Sequence, residues 1–138
     1  MSTVFANISS ALDARLNTLA SSPPVAWQNI TYTPVSGVLY LRPTLLPAPT
    51  QQAGLGDNGL DEYQGIYQID IFAAVGGGRG TAEAKADLIS DHFKRGTSLV
   101  SSGTYVRLRD VSRSAGVVDG DRFAISISIK YMAHTPPR

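Results

Sequence analysis

The 138-residue chain has no cysteine, and this absence removes several kinds of site at once. Disulfides, thiolate nucleophiles and zinc–thiolate centres all require that residue. No apolar run approaches the roughly 20 residues that a membrane-spanning helix needs. The N-terminus also lacks a basic segment followed by a long apolar stretch, which is the pattern of a signal peptide. We therefore expect a soluble protein that is made in the cytoplasm.

A large excess of charge is missing as well. The sequence holds 12 lysines and arginines against 11 acidic residues, a formal net charge of +1. Such a balance gives no strong overall field to attract nucleic acid or an acidic membrane surface. The chain is 43% hydrophobic and 17% charged, as is typical of globular proteins. Its length favours a single domain over residues 1–138.

Two segments have the spacing of amphipathic helices. The first runs from Thr3 to Ala20 and ends before Pro23 and Pro24, since proline cannot continue a helix. Its apolar stripe consists of Val4, Ile8, Ala11, Leu12, Leu16 and Leu19. The second helix is predicted from Thr81 to Lys94, with Thr81 as its N-cap. Its predicted buried stripe consists of Ala84, Leu88, Ile89 and Phe93.

Alternating apolar residues predict strands in the rest of the chain. The clearest are 63–75 and 121–131, and 98–112 is predicted to be a hairpin. Residues 38–46 form a further strand, which Pro43 places at an edge or breaks. The predicted inward residues are Tyr67, Ile69, Ile71, Ala73, Val75, Phe123, Ile125, Ile127, Ile129 and Tyr131. Together these elements predict an α+β fold: a mainly antiparallel β-sheet with two helices packed on one face.

Two segments have little material for a core. Residues 47–62 are predicted to be a long mobile loop, and residues 133–138 a loose C-terminal tail. Ordering the loop costs roughly 1–2 kcal/mol per residue in backbone entropy. Burying Leu55 and Leu60, its largest apolar groups, contributes only about 3–6 kcal/mol in total. We therefore expect the loop to order only against a neighbouring molecule.

A glycine-rich turn, Gly76-Gly-Gly-Arg-Gly-Thr81, lies between a predicted strand and a predicted helix. A phosphate loop also needs a Gly-Lys-Ser/Thr end, and this turn has only Arg79 as a basic residue. The dinucleotide fingerprint fails too, because its third glycine would fall on Thr81. A flexible turn that joins the strand to the helix is the better interpretation.

The residues offer little for catalysis or for metal binding. His92 and His134 are the two histidines, and neither has an acid at a spacing that would orient it as a general base. Asp57, Asp61 and Glu62 lack the spacing of the twelve-residue calcium loop. We therefore predict no catalytic residue, no cofactor and no metal site.

Acidic and basic residues concentrate in different parts of the chain. The acids Asp57, Asp61 and Glu62 stand in a region without a base from Arg42 to Arg79. A later region is rich in bases: Lys94, Arg95, Arg107, Arg109 and Arg113. A solvated surface is the simplest interpretation. The alternative is a pair of complementary patches on a self-associating subunit, with a predicted interface of Leu55, Asp57, Leu60, Asp61, Glu62, Arg79, Arg107 and Arg109.

Several segments, taken in order, resemble a known family. They are Leu39-Tyr-Leu-Arg-Pro-Thr-Leu-Leu-Pro-Ala-Pro-Thr50, Gly65-Ile-Tyr-Gln-Ile-Asp-Ile-Phe72, the glycine-rich turn, the helix that reaches Phe93, and Phe123-Ala-Ile-Ser-Ile-Ser-Ile-Lys-Tyr131. This order and spacing resembles that of the tail terminator proteins of long-tailed bacteriophages. The similarity covers nearly the whole chain, although no single motif in it is diagnostic.

The resemblance implies a structural protein and not an enzyme. Members of this family form a ring, usually hexameric, on the head-proximal end of the tail tube. The ring stops tube polymerisation and provides a surface for head–tail joining. The implied partners are other copies of the chain, the tail tube protein and a head–tail connector or head-completion protein, with DNA passing through the ring but not recognised by sequence. The implied location is the virion, after assembly in the host cytoplasm.

Two alternatives remain open from the sequence. One is a different structural protein of the head–tail junction with a similar fold. The other belongs to a different class: a small phosphate-binding enzyme that uses the 76–81 turn. Loss of ligand binding in an Arg79→Ala, Gly78→Ala variant would favour the enzyme, whereas unchanged ring formation in that variant would favour the terminator.

Overall fold

The computed structural model describes residues 4–18, 24–27, 39–48, 51–52, 61–74, 80–101, 103–114, 116–119 and 122–134. In these ranges the chain forms helices α1 (Val4–Asn17) and α2 (Gly80–His92). The strands are β1 (Tyr40–Pro47), β2 (Gln51–Gln52), β3 (Asp61–Ala74), β4 (Ser98–Ser101), β5 (Thr104–Arg113), β6 (Val117–Asp119) and β7 (Arg122–His134). Neither of the two helices is long and apolar enough to cross a bilayer.

These strands form one antiparallel sheet in the order β1-β3-β7-β5-β4. The short strands β2 and β6 pair with the ends of β3 and β7. The two longest strands, β3 and β7, pair with each other from Glu62 opposite His134 to Ala74 opposite Arg122. They therefore form the centre of the sheet, and β1, the strand that contains Pro43, is the first strand of this order and so lies at an edge, as predicted.

Both helices pack on the same face of this sheet, which confirms the predicted α+β architecture. From α1 the buried core takes Ile8, Ala11, Leu12 and Leu16, all members of the predicted stripe. The sheet contributes the alternating residues that the sequence predicted, among them Tyr67, Ile69, Ile71, Ile125, Ile127, Ile129 and Tyr131. Burial of these two apolar faces against each other is the main source of stability.

The second helix is rotated relative to the prediction. Ala84 is exposed and Leu88 is 43% exposed, whereas Ala82 and Ala86 are fully buried with Ile89 and Phe93. The predicted stripe was therefore wrong at Ala84 and Leu88 and is confirmed at Ile89 and Phe93. Small alanine side chains let the helix backbone approach the sheet, and this close packing decides which side of α2 is buried. Since α2 begins at Gly80, Thr81 lies inside its first turn.

Strand pairing reaches further into the predicted loop and tail than expected. Pro47 ends β1, and β2 pairs with the first two residues of β3, so both ends of the 47–62 segment belong to the sheet. Ala133 is buried in β7, and His134 ends that strand. The remaining residues of both segments, 49–50, 53–60 and 135–138, are outside the described ranges, as are the side chains of Val4, Leu19 and Val75.

Candidate interaction surface

The side of the sheet opposite the helices, called the open face below, is not covered by either described helix. Strand pairing aligns the outward residues of β1, β3, β7 and β5 in rows across it. Its members include Tyr40, Arg42, Thr44, Leu46, Gln64, Ile66, Gln68, Asp70, Phe72, Tyr105, Arg107, Arg109, Ala124, Ser126, Ser128, Lys130, Met132 and His134. Tyr40 and Phe72 are buried at one end with Ala26, whereas exposed members such as Arg42, Leu46 and Lys130 are available for contact with another macromolecule.

One end of the open face is built from aromatic rings and arginines. The rings of Tyr40 and Phe72 stack with their centroids 4.9 Å apart. Arg42 lies 4.9 Å from the centre of the Phe72 ring, and Arg122 lies 5.2 Å from that of Tyr40. Arg122 is only 6% exposed, so its cation is largely removed from water, which strengthens an interaction of this kind. This end of the face is therefore held together by its own side chains.

Hydrogen bonds satisfy the acid in the middle of the open face. Asp70 accepts a hydrogen bond of 2.6 Å from the Ser126 hydroxyl and one of 2.9 Å from the Gln68 amide. Both donors lie on the same face as the carboxylate. The hydrogen bonds of Asp70 are thus made within the sheet, to Ser126 and Gln68. This acid does not pair with the described basic residues at the other end of the open face.

At that far end the open face forms a groove of about 330 Å³. Its lining residues are Ala48, Gln64, Gly65, Ile66, Arg109, Asp110, Lys130, Tyr131 and Met132. A β-bulge shapes one wall, because the pairing of β5 with β7 shifts between Leu108 and Val111. As a result, Arg109 and Asp110 together stand opposite Lys130. Bulges often redirect side chains beside a functional site.

Three exposed cations border this groove: Arg107, Arg109 and Lys130. None of them has an acidic partner in the described ranges. Asp110 pairs at 4.0 Å with Arg95. Apolar side chains are also exposed near this end, with Val100 62% and Tyr105 45% accessible to solvent. Arginine, methionine and aromatic residues together are typical of protein–protein interfaces.

The basic residues that lie close together in the sequence do not share one surface in the fold. Arg113 lies 3.5 Å from Asp87 of α2, on the helix side of the sheet, and Arg95 pairs with Asp110. Of the predicted interface residues whose side chains the structure describes, Arg107 and Arg109 both reach the open face. Sequence reasoning did not include Lys130 in this interface, although its position on the polar side of the last strand was a usable signal.

The acidic part of the predicted interface is described only at its end. Asp61 and Glu62 are the first residues of β3, and Glu62 stands opposite His134 in the sheet. Leu55, Asp57, Leu60 and Arg79 lie outside the described ranges. Their part in an interface therefore stays a prediction. The phosphate-binding alternative is likewise untested, because residues 75–79 are also outside those ranges.

His92 has a structural role that its position explains. Its Nε2 atom lies 2.7 Å from the Arg15 carbonyl oxygen and 2.9 Å from the Thr18 hydroxyl, at the C-terminus of α1. In return, Arg15 donates a 3.0 Å hydrogen bond from Nε to the carbonyl of His92, at the C-terminus of α2. Arg15 thus supplies a donor to the last carbonyl of α2, and His92 lies against the Arg15 carbonyl, which also accepts from the Thr18 amide and hydroxyl. A structural histidine was one of the two roles expected from the sequence, the other being a solvated one.

One titratable pair is buried beneath α1. The Tyr67 hydroxyl donates a 2.5 Å hydrogen bond to a carboxylate oxygen of Asp13. Burial raises the pKa of Asp13, and the hydrogen bond from Tyr67 partly offsets that rise. Burial and the neighbouring carboxylate both raise the pKa of Tyr67. The pair links helix to sheet inside the core. Across the described residues, no group of three or more acids or histidines could hold a metal ion.

The fold and the open face define a class: a small α+β protein in which the described helices cover one side of the sheet and leave the other to serve as a surface. A family model described as phage tail terminator protein matches residues 7–131. The chain therefore belongs to the phage tail terminator family, which consists of structural proteins of phage tails. This confirms the resemblance seen in the sequence.

Solved structures agree with the fold. One superposes with a TM-score of 0.80 at 26% sequence identity, covering 99% of this chain and 100% of the other. Another, from the virion of a native gene transfer agent particle, gives a TM-score of 0.64 at 20% identity and covers 97% of this chain and 99% of its own. The second likeness shows a shared fold. No curated protein matches the sequence significantly.

Proposed function

We propose that this protein forms a hexameric ring on the head-proximal end of the phage tail tube. There it stops further polymerisation of the tube and provides the surface to which the head joins. Membership in the tail terminator family supports this role. Within the structure, the proposal depends most on the open face, a broad surface of cations, rings and apolar groups that the described helices leave uncovered.

A closed ring requires two different surfaces on each subunit, because the same head-to-tail contact repeats around the axis. The exposed Arg107 and Arg109 of the open face supply basic groups for one surface. We assign the acidic and apolar residues of the predicted interface, together with Arg79, to contacts with a neighbouring subunit or with the tube. The separation of charge along the chain supports this division.

The same proposal includes the binding partners of the protein and its location. The ring contacts the tail tube protein on one side and a head–tail connector or head-completion protein on the other. DNA passes through it without sequence-specific recognition. The protein acts in the virion after assembly in the host cytoplasm, and it catalyses no reaction.

Size-exclusion chromatography with light scattering tests the ring. We expect a concentration-dependent species of six times the chain mass. Adding purified tail tubes should place rings on one tube end, visible by negative-stain electron microscopy, and should halt tube growth. A chain that stays monomeric at high concentration and also leaves tube ends unoccupied would contradict the proposal.

An Arg79→Ala, Gly78→Ala variant separates this role from the phosphate-binding alternative. Ring formation should stay mostly intact in the variant, since Arg79 is the only one of the residues assigned to subunit or tube contacts that it changes. If the wild-type chain bound or turned over a phosphate compound and the variant did not, the enzyme interpretation would replace the structural one.

A further inference from the structure

We infer that the groove on the open face receives residues 53–62 of a second copy of this chain, and that this contact joins neighbouring subunits. The inference rests on the proposed ring and names the two surfaces that meet in it. The groove is lined by described residues, and the segment is the part of the predicted long loop that holds both of its leucines and all of its acids.

The groove offers an apolar floor with cations at its border. Ile66 and Met132 are half-buried residues of β3 and β7 in its lining. Lys130 and Arg109 are exposed beside them, and Arg107 is the neighbour of Met132 in the adjacent strand. The occupant that suits this surface is a peptide with apolar side chains and carboxylates, since paired opposite charges steer and orient such contacts.

The segment has that composition. Residues 53–62 read Ala-Gly-Leu-Gly-Asp-Asn-Gly-Leu-Asp-Glu, with two leucines, three acids and no base. Leu55 and Leu60 are suited to the apolar floor. Asp57, Asp61 and Glu62 are suited to the three cations.

Strand pairing favours contact with a second copy over contact with the segment's own groove. Gln51 and Gln52 pair with Glu62 and Asp61, so the polypeptide leaves the sheet in the direction opposite to Ile66. Gln64 and Ile66, which line the groove, lie three and five residues from Asp61 along β3, about 10 and 17 Å in an extended strand. We therefore assign the segment to the groove of the next subunit and not to its own. This head-to-tail contact repeats around a ring and can close it.

Reversal of charge tests the pairing. The groove variant carries Arg109→Glu and Lys130→Glu, and the segment variant carries Asp57→Lys and Asp61→Lys. Like charges then face each other, and we expect each variant alone to need on the order of 100-fold more protein for half-assembly. An equal mixture should restore assembly, because each groove then meets a segment of opposite charge in alternating order. Light scattering across a concentration series measures both effects.

A matched control reverses charge elsewhere. The control variant carries Lys85→Glu, in α2, and Lys94→Glu, just after it. It changes the net charge as much as the groove variant does but leaves the groove intact, so it should assemble like the wild-type chain. Circular dichroism melts establish that each variant is folded. If a reversed variant were unfolded, the milder Arg109→Gln, Lys130→Gln pair would replace it, with a smaller expected loss and the same direction.

The outcomes separate this inference from the proposed function. Wild-type rings together with unimpaired groove variants would overturn the inference and leave the ring intact. Failure of the mixture to assemble would also overturn it, because the segment would then act on its own subunit. Impaired binding of duplex DNA with normal assembly would reassign the groove to nucleic acid. A wild-type chain that never assembles, even on tubes, would defeat the proposed function itself.

Hydrogen exchange on the wild-type chain gives a second readout that needs no variant. Amides of residues 53–62 and of the groove strands at Gln64, Ile66 and Lys130 should gain protection together when rings form. Equal protection of the segment in monomer and ring would overturn the inference.

Discussion

The two faces of the sheet are made by the same strands and yet differ in burial and in polarity. On the helix side, Ile69 and Ile127 are fully buried opposite each other. One residue further along, Asp70 and Ser126 are partly buried on the open face and share a hydrogen bond. The comparison teaches that one face specifies the fold, whereas the other is free to serve an interface.

The largest expected effect comes from removing bulk on the covered face. Ile127→Ala should lower the free energy of unfolding by about 2–5 kcal/mol, because it leaves a cavity in the core. Ser128→Ala, the next residue in the same strand, should change it by less than about 0.5 kcal/mol. Urea denaturation of both variants measures the contrast. Equal losses would mean that the open face contributes to folding as much as the core does.

A second expected effect comes from adding bulk at Gly65. A Cβ atom there would lie 2.6 Å from the Leu46 carbonyl oxygen, 2.7 Å from the Tyr131 hydroxyl and 2.9 Å from the Pro47 Cα. Two of these contacts are with backbone, so Gly65→Ala should destabilise the fold by about 1–3 kcal/mol.

Gly80→Ala is the matched control for this change. Nothing lies within 4 Å of the added atom at Gly80, and the substitution should be neutral or slightly stabilising. Adding Tyr131→Phe to Gly65→Ala should recover part of the loss, since it removes one of the three close contacts. Thermal melts that show equal effects at Gly65 and Gly80 would contradict the close approach.

Two buried tyrosines sharpen the comparison within the covered face. Tyr67 donates to Asp13, whereas the Tyr131 hydroxyl is buried without a partner among the described residues. Tyr67→Phe leaves a carboxylate without its donor and should cost about 1–3 kcal/mol. Tyr131→Phe should be neutral or stabilise by up to about 1 kcal/mol. Chemical denaturation measures the unfolding free energy of both variants. A larger loss in Tyr131→Phe than in Tyr67→Phe would contradict the prediction.

The smallest expected effect is a dependence on pH at Asp13. Its pKa is raised in the folded protein, so its contribution to stability is complete below the ordinary value of 3.8 and is lost as the pH rises through the folded-state pKa. Asp13→Asn cannot ionise, and it should therefore gain stability relative to the wild-type chain between about pH 3 and pH 7. The urea midpoints of the wild-type and Asp13→Asn proteins at about pH 3 and about pH 7 measure this difference in stability. A difference that shrinks as the pH rises would contradict the sign.

The sequence predicted the faces of the central strands well because their pattern is local. Ile69 and Ile71, like Ile127 and Ile129, alternate with polar residues, and a period of two defines the two sides of any strand. The rotation of α2 was not predictable in the same way. Leu88 and Ile89 both suit a core, and only contact with the sheet selects Ile89, since the alanines beside it permit close packing.

The candidate surface was predicted in part. Arg107 and Arg109 stood out as members of a basic region, but Lys130 and Met132 joined them only through the pairing of β5 with β7. The bulge at Arg109 and Asp110, which sets one wall of the groove, has no signature in the local pattern. The short strand β6 was missed because three residues, Val117 to Asp119, give too little alternation to recognise.

By itself the sequence determined the buried sides of α1 and of the central strands, and hence a sheet with helices against it, because hydrophobic periodicity acts over neighbouring residues. Only the tertiary structure decided which strands lie side by side, and so which charges and apolar groups share the open face. Strand register is a long-range property: residues that are distant in the chain come together only after the core has selected one alignment.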